Sequence, residues 1–405
     1  MRNALGLFGF KSVVTILTST RPHPREHHWD VLRALLMLLG IPYHVAMAYR
    51  ANDIWIMNAG EGSMLFTQIA QAIHVFRMPA FFIVAGYFAA LLLARRDAGE
   101  WLRGRTMRLG IPFLAALLTL NPLLNLLCEF SNNGWPAALA SWKHESATSG
   151  GYWVRHLWFV IVLLYLSGAA ALLVRVKPGL AQAMLPSRLD DALARWFTPM
   201  LIGAAALLGL WAGGAIELFY VAGLATNIPQ QILRIDQLIE FAPWFVVGFT
   251  LARVPALKAA LHRFSWPVAL LTIAVLALDL AYREQLWPPY GRFLDTLAAV
   301  GMTQVLMALI KRMADRPSPL VQEIVRASFV IYLFHLPIVA GLVLLGKGLV
   351  MPLLLKALII MLATTALSWG VWMVVRNSPT LRLLYDGVKM DRRAREPMLQ
   401  LRSAN

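Results

Sequence analysis

The chain has 405 residues, of which 59% are hydrophobic and only 14% charged, and its mean hydropathy is +0.62. Soluble proteins carry about 25% charged residues, so this composition excludes a soluble globular protein and predicts a polytopic membrane protein. The formal net charge of +16 could suggest nucleic-acid binding. The Lys and Arg residues, however, concentrate in every second predicted loop, as the positive-inside rule requires. We therefore expect both termini in the cytoplasm and no nucleic-acid partner.

Three regions are predicted along the chain. Residues 1–28 form a flexible cytoplasmic arm, because Lys11 interrupts their apolar stretch and no convincing signal-peptide cleavage site follows. Residues 29–378 form one membrane domain, and residues 379–405 form a basic cytoplasmic tail. Runs of about 17 or more apolar residues predict an all-α bundle of ten transmembrane helices. These are residues 31–49, 65–93, 109–128, 156–174, 199–217, 237–252, 266–282, 294–310, 328–346 and 351–375.

The first predicted span carries an arginine and a histidine, Arg33 and His44, with Asp30 at its inner edge. Three helical turns separate the two residues, which places them within about 20° of one face and roughly 16 Å apart. A charge in the bilayer costs at least about 2.5 kcal/mol, so a functional role is the default expectation. His44 is a candidate catalytic base because imidazole titrates near neutral pH. The alternative for Arg33 is neutralisation of Asp30 at the inner interface.

Later spans add four more polar side chains. His74 and Arg77 lie one turn apart in the second span, His156 begins the fourth, and His335 lies in the ninth. From their depths we expect His44, His74, Arg77 and His335 to converge on one polar cavity, where His74 or Arg77 could stabilise an oxyanion. The alternatives are a packing role for His335 and an interfacial position for His156.

The outer loops contain aromatic and polar residues that suit a sugar. Trp55, Asn58 and Glu61 lie in the first outer loop, and Trp158 follows His156. We predict that these five residues bind an acceptor substrate. Tryptophan near a membrane boundary also serves as an interface anchor, and composition alone leaves that alternative open.

An arginine cluster precedes the third span on the predicted inner side: Arg103, Arg105 and Arg108. The planar guanidinium fork binds phosphate bidentately, so the cluster could hold a phosphorylated donor. Flanking of a span by positive charge is the alternative. Combined with a histidine base toward the outer side, the cluster indicates a donor bound inside and an acceptor bound outside.

Five segments together resemble the integral-membrane acyltransferase-three family, and most closely its branch that succinylates periplasmic glucans. They are Asp30–His44, His74–Phe88, Arg105–Pro112, His156–Phe159 and Ala327–His335. One departure is Ala85, which stands where the family usually has serine. The outer loops match least.

The resemblance implies a multi-pass enzyme of the bacterial inner membrane that uses acyl-CoA, in this branch succinyl-CoA, as co-substrate and has no permanently bound cofactor. It implies that Arg105 and Arg108 face the CoA phosphates, and that His44 is the essential histidine with Arg33 as its motif partner. No metal is expected, because the intramembrane histidines lack a metal-ligand spacing. Besides acyl-CoA, the glucan and the lipid bilayer, candidate partners are a second copy of the chain and other glucan-synthesis proteins.

Three other functions stay open. The first is acyl transfer to another envelope glycan, such as lipopolysaccharide or exopolysaccharide. The second is a proton-coupled transporter with His44, His74 and His335 as a relay. The third is a non-catalytic partner of glucan synthesis.

Overall fold

The computed structural model describes residues 26–51, 55–224 and 228–389. These residues are almost entirely helical, and their one extended feature is an isolated bridge between Arg50 and Ser63. The all-α prediction is therefore confirmed for this part of the chain. The predicted arm up to residue 25 and the tail from residue 390 lie outside the described residues.

The helices succeed one another with short connections. In chain order they are α1 (His27–Leu38), α2 (Gly40–Ala48), α3 (Met64–Leu93), α4 (Ala98–Leu118), α5 (Leu120–Asn133), α6 (Ala137–Thr148), α7 (Gly150–Val154), α8 (Trp158–Val176), α9 (Ser187–Arg195), α10 (Phe197–Val221), α11 (Ile228–Leu233), α12 (Ile235–Leu251), α13 (Pro255–Leu261), α14 (Trp266–Tyr282), α15 (Pro288–Ala314), α16 (Pro319–Gly346), α17 (Leu353–Asn377) and α18 (Pro379–Asp386). Short 3₁₀ turns occupy Arg155–Leu157 and Pro178–Ala181.

Eight helical segments in the described part of the chain are long and apolar enough to cross a membrane. They are His27–Ala48, Met64–Leu93, Ala98–Asn133, Gly150–Val176, Phe197–Val221, Pro288–Ala314, Pro319–Gly346 and Leu353–Asn377. A ninth is reached if α11–α12 and α13, which meet at a 113° bend, count as one span. The protein is thus a multi-pass membrane protein.

The structure differs from the ten-span prediction at the sixth and seventh spans. The sixth predicted span falls in the bent pair, where Pro255 starts a new helix in a new direction. The seventh corresponds to α14, which has 17 residues and is therefore about 25 Å long, against a hydrocarbon core of about 30 Å. The count of ten stays a prediction.

The two ends of the described chain lie at the same end of the bundle. Arg33 of α1 is close enough to act electrostatically on Arg105 of α4. Gly387, after α18, packs against the backbone of Arg108 in the same helix. We call this the terminal end of the bundle, and the other the opposite end. That the terminal end faces the cytoplasm stays a prediction.

The closest helix pair in the core is α3 with α12. A Cβ atom on Gly86 would overlap the carbonyl oxygen of Phe245, and one on Gly248 would overlap that of Ile83. Small residues permit such backbone contact between membrane helices. Ala85, which replaces the family's usual serine, packs in the same apolar core. The two helices therefore form a tightly joined pair.

We expect Gly248→Ala to destabilise the protein, because the new methyl group would meet the fixed backbone of α3. Overpacking of this kind costs about 1–3 kcal/mol in free energy of unfolding. Thermal unfolding in detergent measures the effect. Gly370→Ala in α17 is the matched control, because a Cβ there meets nothing within 4 Å. Equal melting temperatures for the two variants would contradict the packing argument.

Candidate active site

A cavity of about 380 Å³ opens between α2, α3, α8 and α16 toward the opposite end of the bundle. We call it the histidine cavity. Its lining is Tyr43, His44, Trp55, Ile56, His74, Arg77, Met78, Gly151, Arg155, His156, Trp158, Phe159, Arg234, Gln237, Tyr332 and Leu336. His335 lies directly behind the lining, against His44. The structure thus brings together the five intramembrane residues that the sequence placed in three separate spans and at the start of a fourth.

Three imidazoles form the centre of this site. The ring of His335 lies 5.0 Å from that of His44 and 5.8 Å from that of His156, centroid to centroid. His44 and His335 are buried, with 5% and 1% of their surfaces exposed. Among the described residues, neither has a carboxylate partner that would explain its place in an apolar interior. A purely structural role would not explain why two polar rings are buried here without a charged partner.

The hydrogen bonds of His335 fix its orientation. Its Nδ1 lies 2.7 Å from the carbonyl oxygen of Tyr332 and 3.2 Å from that of Ile331. A carbonyl only accepts, so we assign the proton of the neutral ring to Nδ1 and the lone pair to Nε2. That Nε2 is buried and has no hydrogen-bond partner among the described residues, and the same is true of Nδ1 of His44. Within the part of the chain that the structure describes, both nitrogens are therefore free of hydrogen bonds.

Arg77 supplies the positive charge beside these rings. Its guanidinium lies over the ring of Tyr43, 4.7 Å from the centroid. A Cβ atom on Gly40 would lie 2.9 Å from Nη1 of Arg77 and 3.2 Å from Nε2 of His335. Gly40 is therefore the gap that lets the cation and the imidazole approach each other. A neutral imidazole beside a guanidinium can remove a proton from a hydroxyl and stabilise the oxyanion that follows.

Gly40→Ala should lower activity about 10- to 100-fold, because misplacing a catalytic group by about 1 Å has effects of this size. The loss of stability should stay below about 3 kcal/mol, the upper range for overpacking, because the nearest atom is the end of the Arg77 side chain and alanine favours helix. Substrate turnover and thermal unfolding measure the two effects. Gly214→Ala in α10, where an added Cβ meets nothing within 4 Å, is the control. Full activity of the Gly40 variant would show that catalysis does not depend on the close approach of Arg77 and His335.

The aromatic residues predicted for the site are present in it. Trp55 stacks on His44, with centroids 5.0 Å apart and an interplanar angle of 15°. Trp158 lines the cavity and stacks on Phe241 at 5.4 Å. These two indoles give the cavity flat apolar surfaces next to its polar groups.

The two remaining predicted histidines also reach the cavity. His156 is buried rather than interfacial, and both its ring nitrogens lack partners among the described residues. Its backbone carbonyl accepts from the hydroxyl of Tyr332 at 2.5 Å. Nδ1 of His74 lies 3.4 Å from the hydroxyl of Tyr43.

Asn58 and Glu61 do not line the histidine cavity, and their binding of an acceptor stays a prediction. The backbone N–H of Asn58 donates to Asn132 at 2.7 Å, and its side chain accepts from the N–H of Gly60. Glu61 forms an ion pair with Lys356, which is 4% exposed. Both residues use their polar groups to hold the loop against α5 and α17.

Arg33 and Asp30 also lie away from the cavity. Only Leu39 separates α1 from α2, and the two helices together form the span His27–Ala48, which carries both Arg33 and His44 as predicted. Arg33 pairs with Asp30 at 3.9 Å and lies 5.6 Å from the ring centre of Phe88. The predicted site residue that Arg33 acts on electrostatically is Arg105, at the terminal end of the bundle.

At the terminal end of the bundle, Arg105 and Arg108 lie near Arg33. Arg105 lies in electrostatic range of Arg33 and Arg108, and its Nε is buried without a partner among the described residues. Arg103 is exposed on the other side of α4, because residues two apart do not share a helix face. We call Arg33, Arg105 and Arg108 the terminal arginine cluster. Arg33 thus lies with Arg105 and Arg108, and phosphate binding by Arg103, Arg105 and Arg108 stays a prediction.

Sequence reasoning missed several lining residues. Tyr43 and Tyr332 could have been found from their positions beside His44 and three residues before His335. Arg155 and Arg234 could not, because their left-handed backbone, with φ of 45° and 53°, leaves no mark in the sequence.

One side of the histidine cavity is formed by short helices and the residues at their ends. Gly151 and Arg155 form one part of it and Arg234 another. The N–H groups of residues 150 and 151 donate to Gln231 at 3.0 and 3.2 Å, which joins α7 to α11. The wall on this side is therefore held by a small number of hydrogen bonds.

Within the described residues, no group of three or more His, Cys, Asp or Glu side chains is arranged to hold a metal ion. The chemistry described for the histidine cavity uses imidazole and guanidinium groups.

Comparison with known proteins identifies the family of the chain. The model of a family described as acyltransferase domain matches residues 26–373. "Glucans biosynthesis protein C" of Salmonella schwarzengrund (strain CVM19633) is 30% identical over 398 residues, which cover 93% of this chain and 99% of that protein. The proteins of that name from Salmonella gallinarum (strain 287/91) and Salmonella typhimurium (strain LT2) are also 30% identical, over 332 and 335 residues, covering 79% of this chain and 84% of each of them. No solved structure matches the chain. With the family model spanning most of its length, the chain belongs to the integral-membrane acyltransferase-three family and is an acyltransferase.

Proposed function

We propose that the protein transfers an acyl group, in particular succinyl, from acyl-CoA on the cytoplasmic side of the bacterial inner membrane to hydroxyls of a periplasmic glucan. The observation that supports this proposal is the group of three buried imidazoles at the histidine cavity, next to Arg77, whose ring nitrogens include ones without a partner among the described residues. The glucan acceptor is suggested by the name of the relatives.

His44 is the base in this proposal. Its imidazole removes the proton of the acceptor hydroxyl while the oxygen attacks the thioester carbonyl. A carbon–oxygen bond forms, the carbon–sulfur bond breaks, and the proton passes to the CoA thiolate. Arg77 balances the negative charge on the carbonyl oxygen during the step, and His335 holds its own lone pair toward the same region.

The donor binds from the terminal end. Arg33, Arg105 and Arg108 carry three positive charges within electrostatic range, which suits the phosphates of a nucleotide thioester. Eleven helical residues rise about 16 Å, so Arg33 and His44 are separated by roughly half of a bilayer core of about 30 Å. The thioester end of an extended donor therefore has to cover only that half to reach His44.

Mass spectrometry of periplasmic glucans tests the proposal in cells with the gene intact, deleted, or carrying His44→Ala. We expect an acyl mass increment that is present only in the intact strain, and its mass identifies the acyl group. Unchanged glucans in all three strains would move the acceptor to another envelope glycan.

A further inference from the structure

A second cavity, of about 530 Å³, lies beside the histidine cavity at the opposite end of the bundle. Tyr43 and His74 line both cavities and so form the wall between them. The remaining polar lining includes Gln68, Gln71 and Arg283. We call this second cavity the glutamine cleft. It has the size of a ligand pocket, which is about 300–1,000 Å³.

A buried charged network holds two residues of the cleft wall. The amide nitrogen of Gln71 donates to Asp279 at 3.2 Å and to Asp295 at 3.1 Å. The guanidinium of Arg283 donates to the same two carboxylates, at 3.0 and 2.6 Å. The side chain of Asp279 is completely buried. Two carboxylates and one guanidinium are costly at a membrane helix interface, and packing alone does not require them.

The network limits what Gln71 can offer to a ligand. Both amide hydrogens are engaged by carboxylates, so its carbonyl oxygen is the group left over, and it is an acceptor. Arg283 is a donor, and 37% of its side chain is exposed. In the lining of the cleft, the network thus fixes Gln71 as an acceptor and Arg283 as a donor. A sugar hydroxyl can both donate and accept, so a sugar ring matches this pair.

The helix that carries Gln71 leads from the cleft to the reacting groups. Gln71, His74 and Arg77 are spaced three residues apart on α3, so they lie along neighbouring positions of one face with a rise of about 4.5 Å per step. Gln71 lines the cleft, His74 lines both cavities, and Arg77 lines the histidine cavity. A chain of sugar rings could follow this line without leaving polar surroundings.

We infer that the glutamine cleft binds a sugar ring of the acceptor next to the ring that is acylated. This assignment rests on the proposed function and adds to it a subsite for a neighbouring sugar. The bound ring would place the hydroxyl of its neighbour past Tyr43 and His74, in front of His44. The Asp279–Asp295 pair acts indirectly, by positioning Gln71 and Arg283.

Steady-state kinetics with purified protein, acyl-CoA and glucan tests the subsite. Gln71→Met removes the acceptor atom but keeps the side-chain length, and we expect the KM for glucan to rise about tenfold, the effect of one lost hydrogen bond. The KM for acyl-CoA and the kcat at saturating glucan should change less than about twofold, because the acceptor atom touches neither the donor nor the reacting groups. Gln322→Met, at the terminal end of α16, is the matched control and should leave all three values unchanged.

A second variant covers the case in which loss of Gln71 disturbs the buried network. Gln68 is exposed on the cleft wall, so Gln68→Ala leaves the fold intact, and it should also raise the KM for glucan. An unchanged KM for glucan in both variants, with wild-type transfer, would overturn the subsite and leave the proposed function standing. Absence of any transfer to glucan by the wild-type protein would instead overturn the proposed function.

Discussion

Replacing His44 with alanine should lower kcat for acyl transfer by roughly 10²–10⁴-fold, the usual contribution of a general base. The reason is its position: it stacks on Trp55, faces His335 at 5.0 Å, and keeps a buried ring nitrogen without a partner among the described residues. Transfer of a labelled acyl group to glucan by the purified protein measures the loss.

The control for this variant is His144→Ala. His144 lies on α6 and is exposed, so its replacement removes an imidazole from the same protein without touching the histidine cavity. Thermal unfolding should show both variants folded. If the His44 variant transferred acyl groups at the wild-type rate, His335 would become the candidate base, because its Nε2 is equally available.

Replacing Arg105 with glutamine should raise the KM for acyl-CoA by about 10- to 100-fold, the effect of losing charge-assisted hydrogen bonds to phosphate. The KM for glucan should be unaffected, because the terminal arginine cluster and the histidine cavity share no residue. Kinetics over a range of acyl-CoA concentrations measure the effect.

Arg103→Gln offers a close control, since it removes the same charge from the same helix two residues away. Arg103 is exposed on the other side of α4. We expect its KM for acyl-CoA to change less than about threefold, because residues two apart on a helix do not share a face and exposed charges are screened by salt. Equal effects of the two variants would mean that the whole basic helix attracts the donor and that no defined cluster binds it.

The residues at the centre of the site could be predicted from the sequence because each polar or charged side chain in a membrane helix has a free-energy cost of its own. A histidine or an arginine in an apolar run is recognisable wherever the helix goes, and Arg77, His156 and His335 do meet around His44. The resemblance to the family named the same residues, and the matched family model covers them.

The outer loop and the helix ends were harder to predict. Asn58 and Glu61 have the right chemistry for a sugar, but the backbone of Asn58 is held by Asn132 and the carboxylate of Glu61 by Lys356, both distant in sequence. The bend at Pro255 changes the sixth span in a way that hydropathy does not register.

The network around Asp279 and Asp295 went unnoticed because no local pattern connects it. Gln71 is separated from the two carboxylates by 208 and 224 positions in the chain. Each acidic residue alone lies within about two turns of a helix end, where a charge is unremarkable. Only the packing of α14 and α15 against α3 shows that the three side chains share one buried site.

The two sides of the histidine cavity differ in how freely they can be altered. The joined pair α3 and α12 admits no added atom at Gly86 or Gly248, whereas the wall that includes Gly151 and Arg234 belongs to short helices held by a few hydrogen bonds. We expect homologues and laboratory variants to change acceptor range by exchanging the short helices, while the reacting groups on α2, α3 and α16 stay in place. Grafting residues 137–157 and 228–237 between relatives is therefore a practical route to enzymes that modify different sugars.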